Sequence, residues 1–153
     1  MYLLLKQTFY TDAVHQEILQ SSGNPPEEKV ILRHLSLPEG LAYDWIAENL
    51  YYTDSDRPEI GVCAVGGPEF YCKILIGREQ LDSPRGIAVH PGKQYLFFSQ
   101  WRKISVIERV DLDGSNSKLV CKLAIVDLKV ICISAYRAKY RFPENHLAQL
   151  NDH

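Results

Sequence analysis

The sequence predicts an all-β fold made of repeated four-stranded units, and three observations support this prediction. The 153 residues include nine tyrosines, five phenylalanines and eight prolines, a composition that favours strands joined by turns. Short runs of aromatic and β-branched residues alternate with Gly, Pro, Asn and Asp along residues 9–122. No helical pattern of 10–15 residues separates these runs before residue 123, which argues against an alternating α/β fold.

The second and third units repeat one another. The segment 40–44 matches 86–90 and the segment 50–54 matches 96–100, each after 46 residues. A fainter first copy is offset by 42 residues, because Phe9–Asp12 matches Tyr51–Asp54. A repeat of about 40–50 residues with four short strands is typical of one blade of a β-propeller.

The central copy predicts four strands, at Gly40–Asp44, Leu50–Asp54, about Glu59–Val65 and about Phe70–Ile76. Gly66–Glu69 and, in the next copy, Asp113–Asn116 are predicted hairpin turns. The chain then divides into a partial first blade (1–34), two blades (35–77 and 78–122) and a tail (123–153). Within the tail, residues 123–134 fit a strand or a short helix equally well, and residues 144–150 fit a short terminal helix.

Composition excludes several classes of function. The net charge of -2 predicts no cationic surface for nucleic acid or anionic lipid. No apolar run approaches the roughly 20 residues of a membrane span, and the apolar start, residues 1–5, is too short for a signal peptide. The histidines form no metal-binding pattern and no acid and base pair stands out, so we expect neither a cofactor nor an enzyme.

The motif Tyr51–Asp54, within Glu39–Asp54, resembles the YWTD repeat of the low-density lipoprotein receptor family. The segments Ser83–Pro91, Ile107–Arg109 and Asp113–Asn116 resemble the same repeat. The resemblance covers about residues 9 to 122, and within the family it points most to the receptor-related proteins. The chain departs from the motif at Tyr52, where the repeat has Trp, and at Gln100, which replaces its Asp.

This resemblance implies an incomplete propeller, with about two and a half to three blades of an expected six. It implies a ligand-binding module in the extracellular part of an endocytic or signalling receptor. Protein ligands or lipoproteins, neighbouring blades and EGF-like modules would be its partners. Two alternatives stay open, a structural fragment that assembles by blade pairing and a truncated product without function.

Strand direction predicts which residues face a ligand. In a four-stranded meander, the loop after strand two and the link before strand one lie at the same end of the blade, which we call the upper face. The candidates there are Glu39, Ser55, Asp56, Arg57, Arg85, Trp101 and Arg102. An exposed Trp beside Arg is typical of a binding hot spot. In the alternative, Trp101 packs on a neighbouring blade and the charges are merely solvated.

The motif residues Tyr51, Tyr52, Thr53 and Asp54 are more consistent with structural roles. Aromatic side chains at period two would pack between blades, and Asp54 would accept hydrogen bonds at the end of its strand.

Reflection about the Gly67–Pro68 turn places Cys63 opposite Cys72 on neighbouring strands. Antiparallel partners lie within disulfide reach, so we expect a cross-strand disulfide if the protein is extracellular. Two free thiols are the alternative in a reducing compartment.

Overall fold

A computed structural model describes residues 7–101 and 104–123, and these residues form three antiparallel sheets in chain order. The first sheet contains β1 (Thr8–Asp12), β2 (Glu17–Ser22) and β3 (Glu27–Leu32). The second contains β4 (Pro38–Asp44), β5 (Asn49–Asp54), β6 (Glu59–Ala64) and β7 (Tyr71–Ile76). The third contains β8 (Pro84–His90), β9 (Tyr95–Gln100), β10 (Ser105–Asp111) and β11 (Lys118–Leu123), with a short 3-10 turn at Pro91–Lys93.

Every sheet is a simple meander in which each strand pairs with its neighbours along the chain. Two sheets have four strands, and the first has three within the described residues. This arrangement confirms the predicted all-β fold and matches part of a β-propeller.

The strands of the central unit lie close to their predicted positions. Strand β4 begins at Pro38, two residues before the predicted start, because Pro38 already pairs with Asp54 ahead of an irregularity in the register. Strand β7 begins at Tyr71, one residue later than predicted. The Asp113–Asn116 turn is present, and Gly114 supplies its left-handed backbone with φ of 87°.

The repeat is also visible in the backbone of the turns. Glu48 and Gln94 occupy equivalent positions, and both adopt left-handed conformations, with φ of 54° and 58°. The carbonyl of Glu48 accepts a hydrogen bond from Val65 N at 3.0 Å, and that of Gln94 accepts one from Leu112 N at 3.1 Å. The second and third sheets therefore share the same turn conformation and the same turn hydrogen bond.

The core lies between successive sheets. One cluster joins the first and second sheets and includes Ile18, Leu50 and Tyr52. The other joins the second and third sheets and includes Tyr51 and Phe98. Because successive residues of a strand point to opposite faces, the adjacent Tyr51 and Tyr52 serve different cores. The second sheet is thus covered on both faces.

The sheets span residues 8–32, 38–76 and 84–123. Each sheet falls within one of the predicted blades, apart from one residue at the end of the third sheet. The division of the chain into domains at those boundaries stays a prediction. Residue 123, the first of the predicted tail, is the last residue of β11. The remainder of the segments predicted at 123–134 and 144–150 lies outside the described residues. In the described part of the chain, no helix has the length and apolar character needed to cross a membrane.

Candidate functional site

The upper face forms where each first strand begins and each second strand ends. Pro38 of β4 pairs with Asp54 of β5, and Pro84 of β8 pairs with Gln100 of β9. Main-chain bonds then join each loop to the preceding link. Ser55 N donates to the Leu37 carbonyl at 3.0 Å, and the equivalent bond joins Trp101 N to the Ser83 carbonyl at 2.8 Å.

Three candidates meet at this face, in an arrangement that we call the Trp101 patch (Glu39, Arg85 and Trp101). The guanidinium carbon of Arg85 lies 3.9 Å from the centroid of the Trp101 ring. Arg85 Nη1 also donates to Glu39 Oε1 at 2.8 Å. Trp101 remains 55% exposed. The sequence predicted these three residues as separate candidates, and the structure places them in one cluster formed by two sheets.

The ion pair and the stacking contact hold Arg85 in one place. Glu39 and Arg85 are equivalent residues of successive repeats, so their pairing joins the second sheet to the third. A stacked cation contributes about 0.5–1 kcal/mol at exposed sites. Because the side chains are already ordered, a ligand that docks on the exposed part of Trp101 would lose little side-chain entropy.

The other candidates differ in accessibility. Arg57 is exposed and pairs with the buried Glu59, with Nε to Oε2 at 3.1 Å. Asp56 is exposed and accepts a hydrogen bond from Ser36 Oγ. Ser55 is only 6% exposed, so it lies beneath the surface rather than on it. Arg102 falls outside the described residues.

Asp54 organises the backbone of the upper face. Its carboxylate accepts hydrogen bonds from Ser36 N at 2.6 Å, Leu37 N at 2.9 Å and Arg57 N at 3.1 Å. The side chain is fully buried. One buried carboxylate thus fixes both the link before β4 and the loop after β5, as its place at the end of the strand predicts.

The two motif tyrosines are buried between sheets, at 2% and 3% exposure for Tyr51 and Tyr52. Tyr52 Oη donates to Glu59 Oε1 at 3.3 Å. Burial, together with the nearby Glu59 carboxylate, raises the pKa of Tyr52 well above its usual range. The phenol therefore serves as a neutral hydrogen-bond donor within the fold.

Sequence reasoning missed the role of Gln100, which was noted only as a departure from the motif. Gln100 Oε1 accepts a hydrogen bond from Asp82 N at 2.9 Å, and Nε2 donates to Glu108 Oε1 at 2.7 Å. The amide therefore holds the preceding link as Asp54 does. The signal was its position, since Gln100 aligns with Asp54 in the repeat.

The upper face also includes a loop of the first sheet that was not nominated. Val14 and His15 follow β1, which is equivalent to β5, and the Val14 residue is 86% exposed. His15 Nδ1 lies 2.7 Å from Asp12 Oδ2. The hydrogen bond and the charge of Asp12 raise the pKa of His15. The alignment of Asp12 with Asp54 could have identified this loop.

Cys63 and Cys72 face each other across β6 and β7, and this confirms the predicted register. Their Cα atoms are 4.0 Å apart and their sulfur atoms are bonded. Cys63 is fully buried in the core between the first and second sheets. The bond thus fixes the outer strand of the second sheet.

The side chains at the upper face form a surface on which another protein could dock. Over residues 7–101 and 104–123, the structure shows no group of three or more His, Cys, Asp or Glu side chains that could hold a metal ion. What the upper face presents is an exposed indole, ordered charges and a backbone held by buried polar groups.

Several known proteins are similar in sequence to part of this chain. The vitellogenin receptor of Solenopsis invicta is 34% identical over 94 residues, or 61% of this chain. The vitellogenin receptor Yl of Drosophila melanogaster is 32% identical over 104 residues, or 67% of this chain. Low-density lipoprotein receptor-related protein 5 of Mus musculus is 34% identical over 90 residues, or 59% of this chain. The chain spans about 5% of the length of each. No protein-family model matches the chain.

Solved structures share its fold. A chain in the crystal structure of a nidogen/laminin complex aligns with a TM-score of 0.69 and 29% identity, covering 78% of this chain and 45% of that one. A luciferin-regenerating enzyme aligns with a TM-score of 0.54, and its 13% identity shows a likeness of fold alone. The resemblance to lipoprotein-receptor YWTD repeats is thereby confirmed.

Proposed function

We propose that this chain supplies part of a protein-recognition module of a lipoprotein-receptor-type receptor, and that the Trp101 patch contacts the ligand. The relatives named above are receptors, and two of them are named for vitellogenin. A vitellogenin-like or other lipoprotein ligand is therefore the partner class to test first.

The exposed, ordered Trp101 is the single observation that carries this proposal. Trp and Arg are the residue types most enriched among interface hot spots. Here the indole is 55% exposed and stacks on Arg85, whose guanidinium is itself paired with Glu39. Arg57 and Asp56 extend the same face as a charged rim.

The proposal places the module outside the cell, as part of a membrane receptor with an endocytic or signalling role. The bonded Cys63 and Cys72 support this placement, because structural disulfides persist in oxidising compartments. Neighbouring blades and EGF-like modules are further expected partners. We expect the module to bind ligands rather than to catalyse a reaction, because the relatives named above are receptors.

Surface plasmon resonance on the full chain tests the proposal, with immobilised vitellogenin and low-density lipoprotein as the two probes. We expect Trp101→Ala to weaken binding by roughly tenfold or more, as for a hot-spot residue. Arg85→Gln should act in the same direction, because it removes both the ion pair and the stacked cation.

Trp45→Ala is the matched control. Trp45 is 49% exposed, but it lies in the turn between the first two strands, at the opposite end of the second sheet. The proposal would be wrong if neither probe bound the wild-type chain. It would also be wrong if Trp101→Ala and Trp45→Ala weakened binding equally.

A further inference from the structure

The third sheet has an outer face, which is the face turned away from the second sheet. This face presents an aromatic residue beside an arginine, residue types that are common in protein interfaces. Leu96, Phe98 and Val110 of this sheet pack on the second sheet. Strand alternation therefore turns Phe97 and Arg109 to the other side. Phe97 and Arg109 are direct cross-strand partners on β9 and β10.

The residues that are equivalent to Phe97 and Arg109 in the second sheet are covered by a neighbouring sheet. The equivalent partners in the second sheet are Tyr51 and Val62. They are 2% and 8% exposed, because the third sheet covers them. Within the described residues no further sheet covers Phe97 and Arg109.

Arg109 places a guanidinium group, with its hydrogen-bond donors, on this face. Its guanidinium carbon lies 4.1 Å from the centroid of the Tyr95 ring. Its Nε is buried and has no hydrogen-bond partner among the described residues. The residue as a whole is half-buried and positively charged, so an acidic side chain brought to the accessible part of its guanidinium would form a charge-assisted hydrogen bond.

The first sheet offers the complementary outer face. Phe9 and Ile18 pack towards the second sheet, so alternation turns their neighbours Tyr10 and Leu19 outwards. Tyr10 and Leu19 are cross-strand partners. The repeat aligns Tyr10 with Tyr52, which is buried against the preceding sheet.

Glu28 supplies the acidic group on that complementary face. It pairs with Ser21 across the sheet, is exposed, and accepts a hydrogen bond from Tyr10 Oη at 2.5 Å. Its repeat equivalent in the second sheet is Cys72, which lies against the preceding sheet, 3.9 Å from the carbonyl of Ile31. By the same geometry, Glu28 would lie against whatever sheet precedes the first.

We propose that the outer face of the third sheet binds the outer face of the first sheet in a second copy of this chain, with Arg109 meeting the second copy's Glu28. The same contact made in both directions closes a two-fold ring. The aligned part of this chain covers 45% of the matched propeller chain, so two copies supply about as many sheets as one complete propeller. This assembly is independent of ligand binding at the Trp101 patch.

Light scattering after size exclusion, on the full chain, measures the assembly. We expect a mass of twice the 17.5 kDa of one chain. Arg109→Glu should weaken dimerisation by roughly tenfold or more, because it places two acidic groups together. Combining it with Glu28→Arg should restore the dimer, since the pair is then reversed.

Lys73→Glu is the matched control, because it makes the same charge change on an exposed strand of the second sheet. A folded wild-type chain that stays monomeric at the highest concentration tested would overturn the proposal. So would a reversed pair that fails to restore the dimer while circular dichroism shows it folded.

Covalent trapping keeps the test decisive if a charge variant fails to fold. In a background with both Cys121→Ser and Cys132→Ser, which removes the two cysteines outside the Cys63–Cys72 bond, Glu28→Cys with Arg109→Cys should give a disulfide-linked dimer on a non-reducing gel. Lys73→Cys with Arg109→Cys should give none. Equal crosslinking by the two pairs, or none by the first, would overturn the proposal.

Discussion

Thr53 ties the second sheet to the third through the main chain of Arg85. Its Oγ1 donates to the Arg85 carbonyl at 2.7 Å and accepts from Gly40 N at 2.9 Å. The threonine is fully buried. One hydroxyl therefore positions the backbone that carries the arginine of the Trp101 patch.

Replacing Thr53 with Val keeps the shape of the side chain and removes this hydroxyl. The Gly40 amide and the Arg85 carbonyl then lose a buried partner, so we expect the free energy of unfolding to fall by about 1–3 kcal/mol. Thr53→Ser is the control, because it keeps the hydroxyl and should cost less. Urea denaturation measures both variants, and equal losses would show that the hydroxyl is not the cause.

Gly61 is required because the ring of its cross-strand partner Tyr52 lies over it. A Cβ at Gly61 would fall 2.3 Å from Tyr52 Cζ, so Gly61→Ala would force the ring out of its core. We expect a loss of about 1–3 kcal/mol in the free energy of unfolding.

Gly77→Ala is the matched control, since nothing lies within 4 Å of the Cβ it would add. Its unfolding free energy should stay within about 0.5 kcal/mol of wild type. If the two alanine variants unfolded at the same denaturant concentration, the close approach at Gly61 would not be a packing constraint.

Much of the fold could be predicted from the sequence because its signals are local. The apolar and aromatic alternation of Leu50–Asp54 and the turn residues at 66–69 fix strand positions within two residues. The same register places Cys63 opposite Cys72.

The Trp101 patch was only partly predictable. Strand direction places Glu39, Arg85 and Trp101 at one end of their sheets, but not in contact. Their mutual contact depends on the distance between two sheets and on rotamers, which no local pattern encodes. The same limit explains Gln100, since an amide can replace the Asp54 carboxylate only when the preceding link lies within hydrogen-bonding distance.

The Cys63–Cys72 bond should be detectable by intact-mass spectrometry. Reduction should raise the mass by about 2 Da, the two hydrogen atoms of the released thiols. Reduction should also lower the free energy of unfolding by about 2–3 kcal/mol, the loss expected for a short loop. The Cys121→Ser variant is the control, because its mass should rise by the same amount. An unchanged mass on reduction would contradict the bond.

His15 should titrate above 6.5, because the Asp12 hydrogen bond and charge, with a smaller effect from Glu17, favour the imidazolium. The pKa of Asp12 is lowered below 3.8, chiefly by its hydrogen bond to the His15 side chain. The raised His15 pKa gives a stabilising contribution that is complete below 6.5 and is lost as the pH rises through the folded value. The lowered Asp12 pKa gives one that is present above 3.8 and is lost as the pH falls.

Proton NMR of the His15 ring across this range measures the effect directly. Asp12→Asn should return the His15 midpoint towards 6.5, because the amide keeps the geometry but removes the charge. Asp56→Asn is the matched control on the same face, since Asp56 bonds to Ser36 rather than to His15. If both variants shifted the midpoint alike, the general field of the upper face, and not the Asp12 contact, would set the titration of His15.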